Sequence, residues 1–352
     1  MAPPVLQEPY DNAGLITGKG EWECTGVLVC LDTTPEIIDE AVERKCNMVV
    51  SHHPIVFKGL KKITGKNYVE ETIIKAIKND IAIYAIHTNL DNILTGVNFK
   101  IASVFGLQNT RVLSPKPSML QKLVVFVPAS HKDALLNALF ENGAGEIGNY
   151  SECSFSLEGE GSFKPGEGAD PYSGKMGLRS IEKEVRIEVI FEKWKKAKIL
   201  GAMRGAHPYE EVAYYLSSLE NDYAETGSGI IGELAVEVSE EEFLKHIKKV
   251  FDVKVVRHTE LLGKKIRRVA LCGGAGFFLL PDAMRSEADI YITSDVKYHE
   301  FFEADGRILL ADIGHYESEQ FTSELLVEHL LQNFPNFAVL KTGLNTNPVR
   351  YL

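Results

Sequence analysis

The chain has 352 residues, 45% hydrophobic and 25% charged, enough to bury a sizeable core in two or three domains. A formal net charge of −11 argues against wrapping a nucleic-acid backbone, which needs a basic stripe, but leaves a small anion or nucleotide open as a ligand. With no apolar run near the roughly 20 residues that cross a bilayer, no secretory signal and no C-x-x-C among five cysteines, we expect a cytoplasmic protein without membrane partners.

Strand and helix alternate through the first section. Val27–Asp32 reads as a buried strand. A helix follows to about Lys45, started either by a Thr33–Glu36 capping box or by Thr34 ahead of Pro35. Met48–Ser51 is a strand that runs into His52-His53-Pro54. Val69–Ile77 is helical in pattern, and Ile81–Ile86 is another buried strand ending at His87. Such alternation implies parallel pairing and βαβ crossovers.

The pattern changes at the proline-containing stretch Ser114–Pro117, which reads as a linker. Strands near Leu123–Pro128, Tyr150–Ser162, Val185–Glu192 and Ala213–Leu219, with helices over Ala134–Asn142 and Trp194–Gly205, give the order βαββαβ. The glycine- and proline-rich run Gly159–Gly177 is expected to be a mobile loop. This ferredoxin-like module, 120–228, flanks as an insertion between two βα-alternating halves, 1–119 and 229–352. In the second half, Arg268–Cys272 feeds a glycine turn, Gly273-Gly274-Ala275-Gly276. Further strands are expected at Ala288–Thr293, Arg307–Ala311 and Phe337–Lys341, with one long amphipathic helix over Tyr316–Asn333.

Three segments place metal-capable side chains where a strand ends. Two neighbouring residues inside a strand face opposite ways, but Pro54 breaks that alternation, so His52 and His53 can both turn to one cleft. Asp91 lies beyond the strand that ends at His87. His315 and Glu319, four apart, stack on one helix face, with Glu317 on the other side. Three imidazoles and two carboxylates suit Zn²⁺, Mn²⁺ or Fe²⁺ alike. Against this, a lone strand-end histidine is more often a packed or loop residue, and an i,i+4 His–Glu pair is more often a surface contact. The glycine turn stops short of G-x-G-x-x-G, because position 279 is Leu279, and no Lys-Ser/Thr follows. A close-packed turn is the better reading of it than a phosphate cradle.

Four motifs in order extend the argument: Ser51-His52-His53-Pro54-Ile55-Val56-Phe57-Lys58-Gly59-Leu60, Ala85-Ile86-His87-Thr88-Asn89-Leu90-Asp91-Asn92, Ile292-Thr293-Ser294-Asp295-Val296-Lys297-Tyr298-His299 and Gly314-His315-Tyr316-Glu317-Ser318-Glu319. With Pro9–Leu15 at the start, they resemble the Nif-three-like dinuclear metal-centre family, whose members are often labelled GTP cyclohydrolase I type 2 homologues. The resemblance covers nearly the whole chain. It implies an α/β Nif-three-like domain interrupted by a PII-like ferredoxin-like insertion, whose signature is matched by Gly205–Val212. It also implies two divalent ions (Zn, Fe or Mn) per subunit, held by His52, His53, Asp91, His315 and Glu319, and a toroidal homohexamer with the sites facing its interior.

Family members generally carry a helix ahead of the Pro9–Leu15 motif, and here the chain starts at Met1-Ala2-Pro3-Pro4, which would expose apolar surface. The usual Thr-Gly-Asp is Thr293-Ser294-Asp295. Asp295, Lys297, Tyr298 and His299 are then supporting or substrate-contact candidates, with His299 or Lys297 shuttling a proton or meeting a phosphate. His207 is read as structural or as a trimer-type contact. The activity implied is metal-dependent hydrolysis of a small phosphorylated or heterocyclic molecule. The alternative is a non-enzymatic metal-binding regulatory or interaction scaffold.

Overall fold

The computed structural model describes residues 1–352. It divides into two units, one formed by Met1–Pro115 with Ala224–Leu352, the other by Lys116–Tyr223. No helix is long and apolar enough to cross a membrane.

The first unit holds two sheets. In the five-stranded sheet the order is Gly14–Thr17, Ala82–Ala85, Met48–Ser51, Val27–Cys30, Val339–Lys341. All pairings are parallel except that of the Gly14–Thr17 edge. Helices Pro35–Glu43 and Tyr68–Lys78 cover one face, burying Ile37, Ile38, Ala41, Ile73 and Ala76 against Leu28, Val49 and Ile83. Strands covered on both faces need apolar residues at every position, which is why Val27–Cys30 is buried throughout. Thr34 is the helix cap, its hydroxyl accepting the Ile37 N–H, and Pro35 occupies the first turn where no N–H is needed.

The six-stranded sheet runs Arg257–His258, Leu309–Asp312, Ile290–Thr293, Lys265–Leu271, Gly227–Ser239, Gln108–Pro115. Its three central strands are parallel. A continuous core joins the two sheets, with Val27, Val29 and Val50 of the first and Ile230, Leu271 and Ile292 of the second packed with Val97 and Ile101.

Several expectations are corrected. Ser114 and Pro115 are the end of a strand, not a linker, because Gln108–Pro115 pairs with Gly227–Ser239. The burial of both strands is mixed rather than alternating, which hides that pairing, whereas the helix Glu240–Val250 follows with a Ser239/Glu242 capping box and buries Phe243, Leu244 and Ile247. The helix expected over Tyr316–Asn333 is two helices, His315–Glu319 and Thr322–Asn333. The first is tied to the glycine turn, where the Gly274 N–H donates to Ser318 Oγ (2.9 Å).

The second unit is an antiparallel four-stranded sheet ordered Phe155–Phe163, Ser180–Glu192, Leu120–Pro128, Tyr214–Ser218. Helices Lys132–Glu141 and Lys196–Ala206 share one face, where Leu135, Leu139, Ile199 and Met203 meet Leu123, Val125, Ile187 and Val189. Chain order is βαββαβ. The expected mobile loop is in part ordered: residues 159 to 163 belong to the edge strand, with Gly159 opposite Glu184 and Gly161 opposite Glu182. His207 is buried, its Nε2 donating to Phe126 O (2.8 Å) and its Nδ1 accepting the Tyr209 N–H (3.1 Å).

Candidate metal centre

Parallel strands of both sheets end at one place. From the first sheet, Met48–Ser51 delivers His52 and His53, Ala82–Ala85 delivers His87, and Val27–Cys30 delivers Asp32. From the second, Leu309–Asp312 delivers His315, Ile290–Thr293 delivers Asp295, and Lys265–Leu271 delivers the glycine turn. Carboxyl ends of parallel strands are where open α/β sheets keep their ligands, because strand and crossover diverge there.

Each imidazole is held by its Nδ1. His52 donates to Ile86 O (2.8 Å), His53 to Asp32 Oδ1 (2.7 Å), His87 to Asp11 Oδ1 (2.7 Å) and His315 to Asp295 Oδ2 (2.7 Å). An acceptor on Nδ1 fixes the ring and leaves Nε2 as the donor atom, the usual supporting arrangement of a metal-binding histidine. Past the strand end, Ser51 Oγ donates to His53 O (2.9 Å), which turns the backbone so that the two neighbouring rings lie with centroids 4.9 Å apart.

Glu319, almost fully buried, divides its carboxylate between two groups of donors. Oε2 lies 2.9 Å from His53 Nε2 and 3.2 Å from His315 Nε2. Oε1 lies 3.7 Å from His52 Nε2, which is itself 3.6 Å from Asp91 Oδ1. A third group, His52, His53 and His87, overlaps both. His52 Nε2 and Asp91 Oδ1 are buried and have no hydrogen-bond partner. Ligand atoms about 2.0–2.2 Å from a tetrahedral ion stand about 3.3–3.6 Å apart, so these separations fit a cation between them. These groups can therefore hold metal.

The electrostatics agree. Burial works to lower the His53 pKa, but hydrogen bonds to Asp32 and Glu319 outweigh it and raise the value to about 10. His315, buried but bonded to Asp295 and Glu319, is raised to about 11. Burial and the neighbouring Glu319 charge push Asp91 up to about 8. For Glu319, burial is overcome by the hydrogen bonds of His315 and His53 and by the nearby His52 ring, which hold it well below the ordinary carboxylate range. His53 and His315 are thus held protonated beside Glu319, where a metal ion would supply the positive charge.

The five residues singled out as ligands, His52, His53, Asp91, His315 and Glu319, are thus brought together. Lys297 and His299 are not. Both are exposed, Lys297 Nζ pairs with Glu300 (3.3 Å), and neither lines the cavity beside the donors. Sequence reasoning missed His87 beside the donors, although it lies just past a strand end as His52 does, and missed Asp11 and Asp32 as supports. The glycine turn is close packed: at Gly274 (φ +65°) a Cβ would lie 2.4 Å from Glu319 Oε1.

All the donors but the fully buried His52 line a cavity of about 510 Å³. Tyr10, Phe57 and Phe278 supply aromatic surface to its walls, and no lysine or arginine lines it.

The chain is 40% identical to a Halalkalibacterium halodurans protein and 38% identical to one from Bacillus subtilis, each named GTP cyclohydrolase 1 type 2 homolog; both alignments cover 100% of this chain and 96% of the relative. Its fold matches the crystal structure of a Bacillus cereus protein related to NIF3, with a TM-score of 0.87, 38% identity, and coverage of 100% of this chain and 96% of that one. Residues 1–348 match the Duf34/NIF3 (NGG1p interacting factor 3) family, to which the chain belongs.

Proposed function

We propose that the chain is a metal-dependent hydrolase with a dinuclear centre, acting on a small heterocyclic molecule. The observation that carries this reading is the divided carboxylate of Glu319. One oxygen completes a set with His53 and His315, the other a set with His52 and Asp91. Two divalent ions, of Zn, Fe or Mn, would lower the pKa of a bound water toward neutrality and polarise an imine or carbonyl of the substrate.

The residues of the chain supply the rest. Asp32 and Asp295 hold His53 and His315 in orientation. His87, oriented by Asp11, has the built-in partner of a general base and is placed to take a proton from water beside the donors. The relatives' name, GTP cyclohydrolase 1 type 2 homolog, would direct the chemistry to a purine ring. The cavity favours the ring over the phosphates. Tyr10 and Phe57, with ring centroids 6.2 Å apart, offer apolar contact, whereas a triphosphate would meet no lysine or arginine.

On the same reading the βαββαβ unit is a PII-like insertion and the protein is a cytoplasmic homohexamer, which sedimentation would report as six chains. One observation favours the alternative, a metal-binding scaffold: Lys297 and His299 lie outside the cavity, leaving His87 as its proton carrier. Elemental analysis of anaerobically purified protein, beside turnover of a purine and pyrimidine panel, separates the two. The hydrolase reading expects metal-dependent turnover that Asp91→Ala abolishes. Full metal loading with no turnover across the panel selects the scaffold.

A further inference from the structure

In the Lys116–Tyr223 unit the helices cover one face of the sheet, and the chain itself covers part of the other. Along Ser180–Glu192, Val185, Ile187 and Val189 point into the helix-side core. Glu184 and Arg186 therefore face the opposite side, by the alternation of a strand. There the segment from Pro165 to Ser173, together with Tyr209, encloses a cavity of about 540 Å³. The segment is pinned, since the Asp170 N–H donates to Glu210 Oε1 (2.9 Å).

The lining is chemically selective. Tyr209 is flanked by Tyr172, at 5.8 Å between centroids, and by Phe163, at 6.3 Å. Glu184 reaches into this aromatic group, with Oε1 accepting the Tyr209 hydroxyl (3.1 Å). It lies flat across the neighbouring strand because residue 161 is glycine; a Cβ there would stand 1.9 Å from Glu184 Oε2. No cation pairs with Glu184. Arg186, on the same face, is committed to Glu188 (2.6 Å). The Ser173 oxygen is buried and has no partner.

We propose that this cavity is a binding site for an organic ammonium cation, a protonated amine carried on an aliphatic stem. A half-buried carboxylate without a counter-charge is costly, and an amine beside Glu184 would relieve it. Aromatic faces attract such a cation and receive its methylene groups. A hard divalent ion is a poor fit, because it needs several close ligands and no three carboxylate or imidazole groups of this cavity stand together to share one. An anion would meet Glu184 directly.

Calorimetric titration of the full chain with spermidine tests the site, in about 0.15 M salt so that distant surface charges are screened. The expected result is a single saturable event per chain. Glu184→Gln, which keeps the acceptor for Tyr209, is expected to weaken it roughly tenfold, as is Tyr172→Leu, which leaves the Glu184–Tyr209 bond intact. Asp91→Ala, in the metal centre, is expected to leave spermidine affinity unchanged. No saturable binding overturns the proposal, as does binding unaffected by Glu184→Gln or lost with Asp91→Ala. Binding weakened by Glu184→Gln but indifferent to Tyr172→Leu overturns it too, since charge alone would then account for the attraction.

Discussion

Glu319 faces two different histidines with its two oxygens, Oε2 standing 2.9 Å from His53 Nε2 and Oε1 3.7 Å from His52 Nε2. Asp91 joins only the His52 side. The two carboxylates should therefore differ in what their removal does. Glu319→Gln is expected to empty both sets of donors, whereas Asp91→Asn should retain about half the metal of the parent protein. Elemental analysis of the two variants decides it. A Glu319→Gln protein with undiminished metal would show that the carboxylate is not shared.

Asp32 and Asp295 belong to no donor set, yet each fixes the Nδ1 of a histidine that does. Asp32→Asn and Asp295→Asn are expected to lower metal affinity roughly 10- to 100-fold while leaving the fold intact. Competition with a chromogenic chelator measures the affinity, and far-ultraviolet circular dichroism checks the fold. Equal affinity in parent and both variants would mean that packing alone orients the rings.

Local sequence made the strand ends legible and left the support network hidden. His52-His53-Pro54 announces itself because two adjacent imidazoles in a buried run have no ordinary packing role. His315 and Glu319 show as a helical i,i+4 pair. Asp11 and Asp32 are 76 and 21 residues from the histidines they hold, and nothing local marks such partners; Asp295, 20 residues from His315, is reached as a support only through the motif it shares with Lys297. The Gln108–Pro115 strand escaped notice because its partner lies beyond the inserted unit, so neither strand shows a hairpin signal. The short helix His315–Glu319 is tied to Gly274 through Ser318, a tertiary contact with no trace in helical periodicity.

Metal capture should depend steeply on pH. Without metal, His53 and His315 have pKa values of about 10 and 11, and Asp91 of about 8, so all three are protonated at neutral pH. A cation needs their lone pairs, so binding must expel those protons. Affinity is expected to rise as pH increases from 6 to 9, with about three protons released per chain near pH 7. Titration calorimetry in buffers of different ionisation enthalpy counts them. Release of none would show that these groups are already unprotonated or do not bind the metal.

Gly274 gives the most local test of the site. Its φ of +65° disfavours any side chain, and an added Cβ would press on Glu319 Oε1 at 2.4 Å. Gly306 has a similar φ of +61° but nothing within 4 Å of where its Cβ would be. Alanine at either position should cost stability through the backbone, of order 1–2 kcal/mol. Only Gly274→Ala should also displace the carboxylate and reduce metal content. Thermal unfolding and elemental analysis of the two variants separate backbone strain from the clash. Matching metal content in the two proteins would mean that Glu319 has room to move aside, and that the glycine turn does not hold it in place.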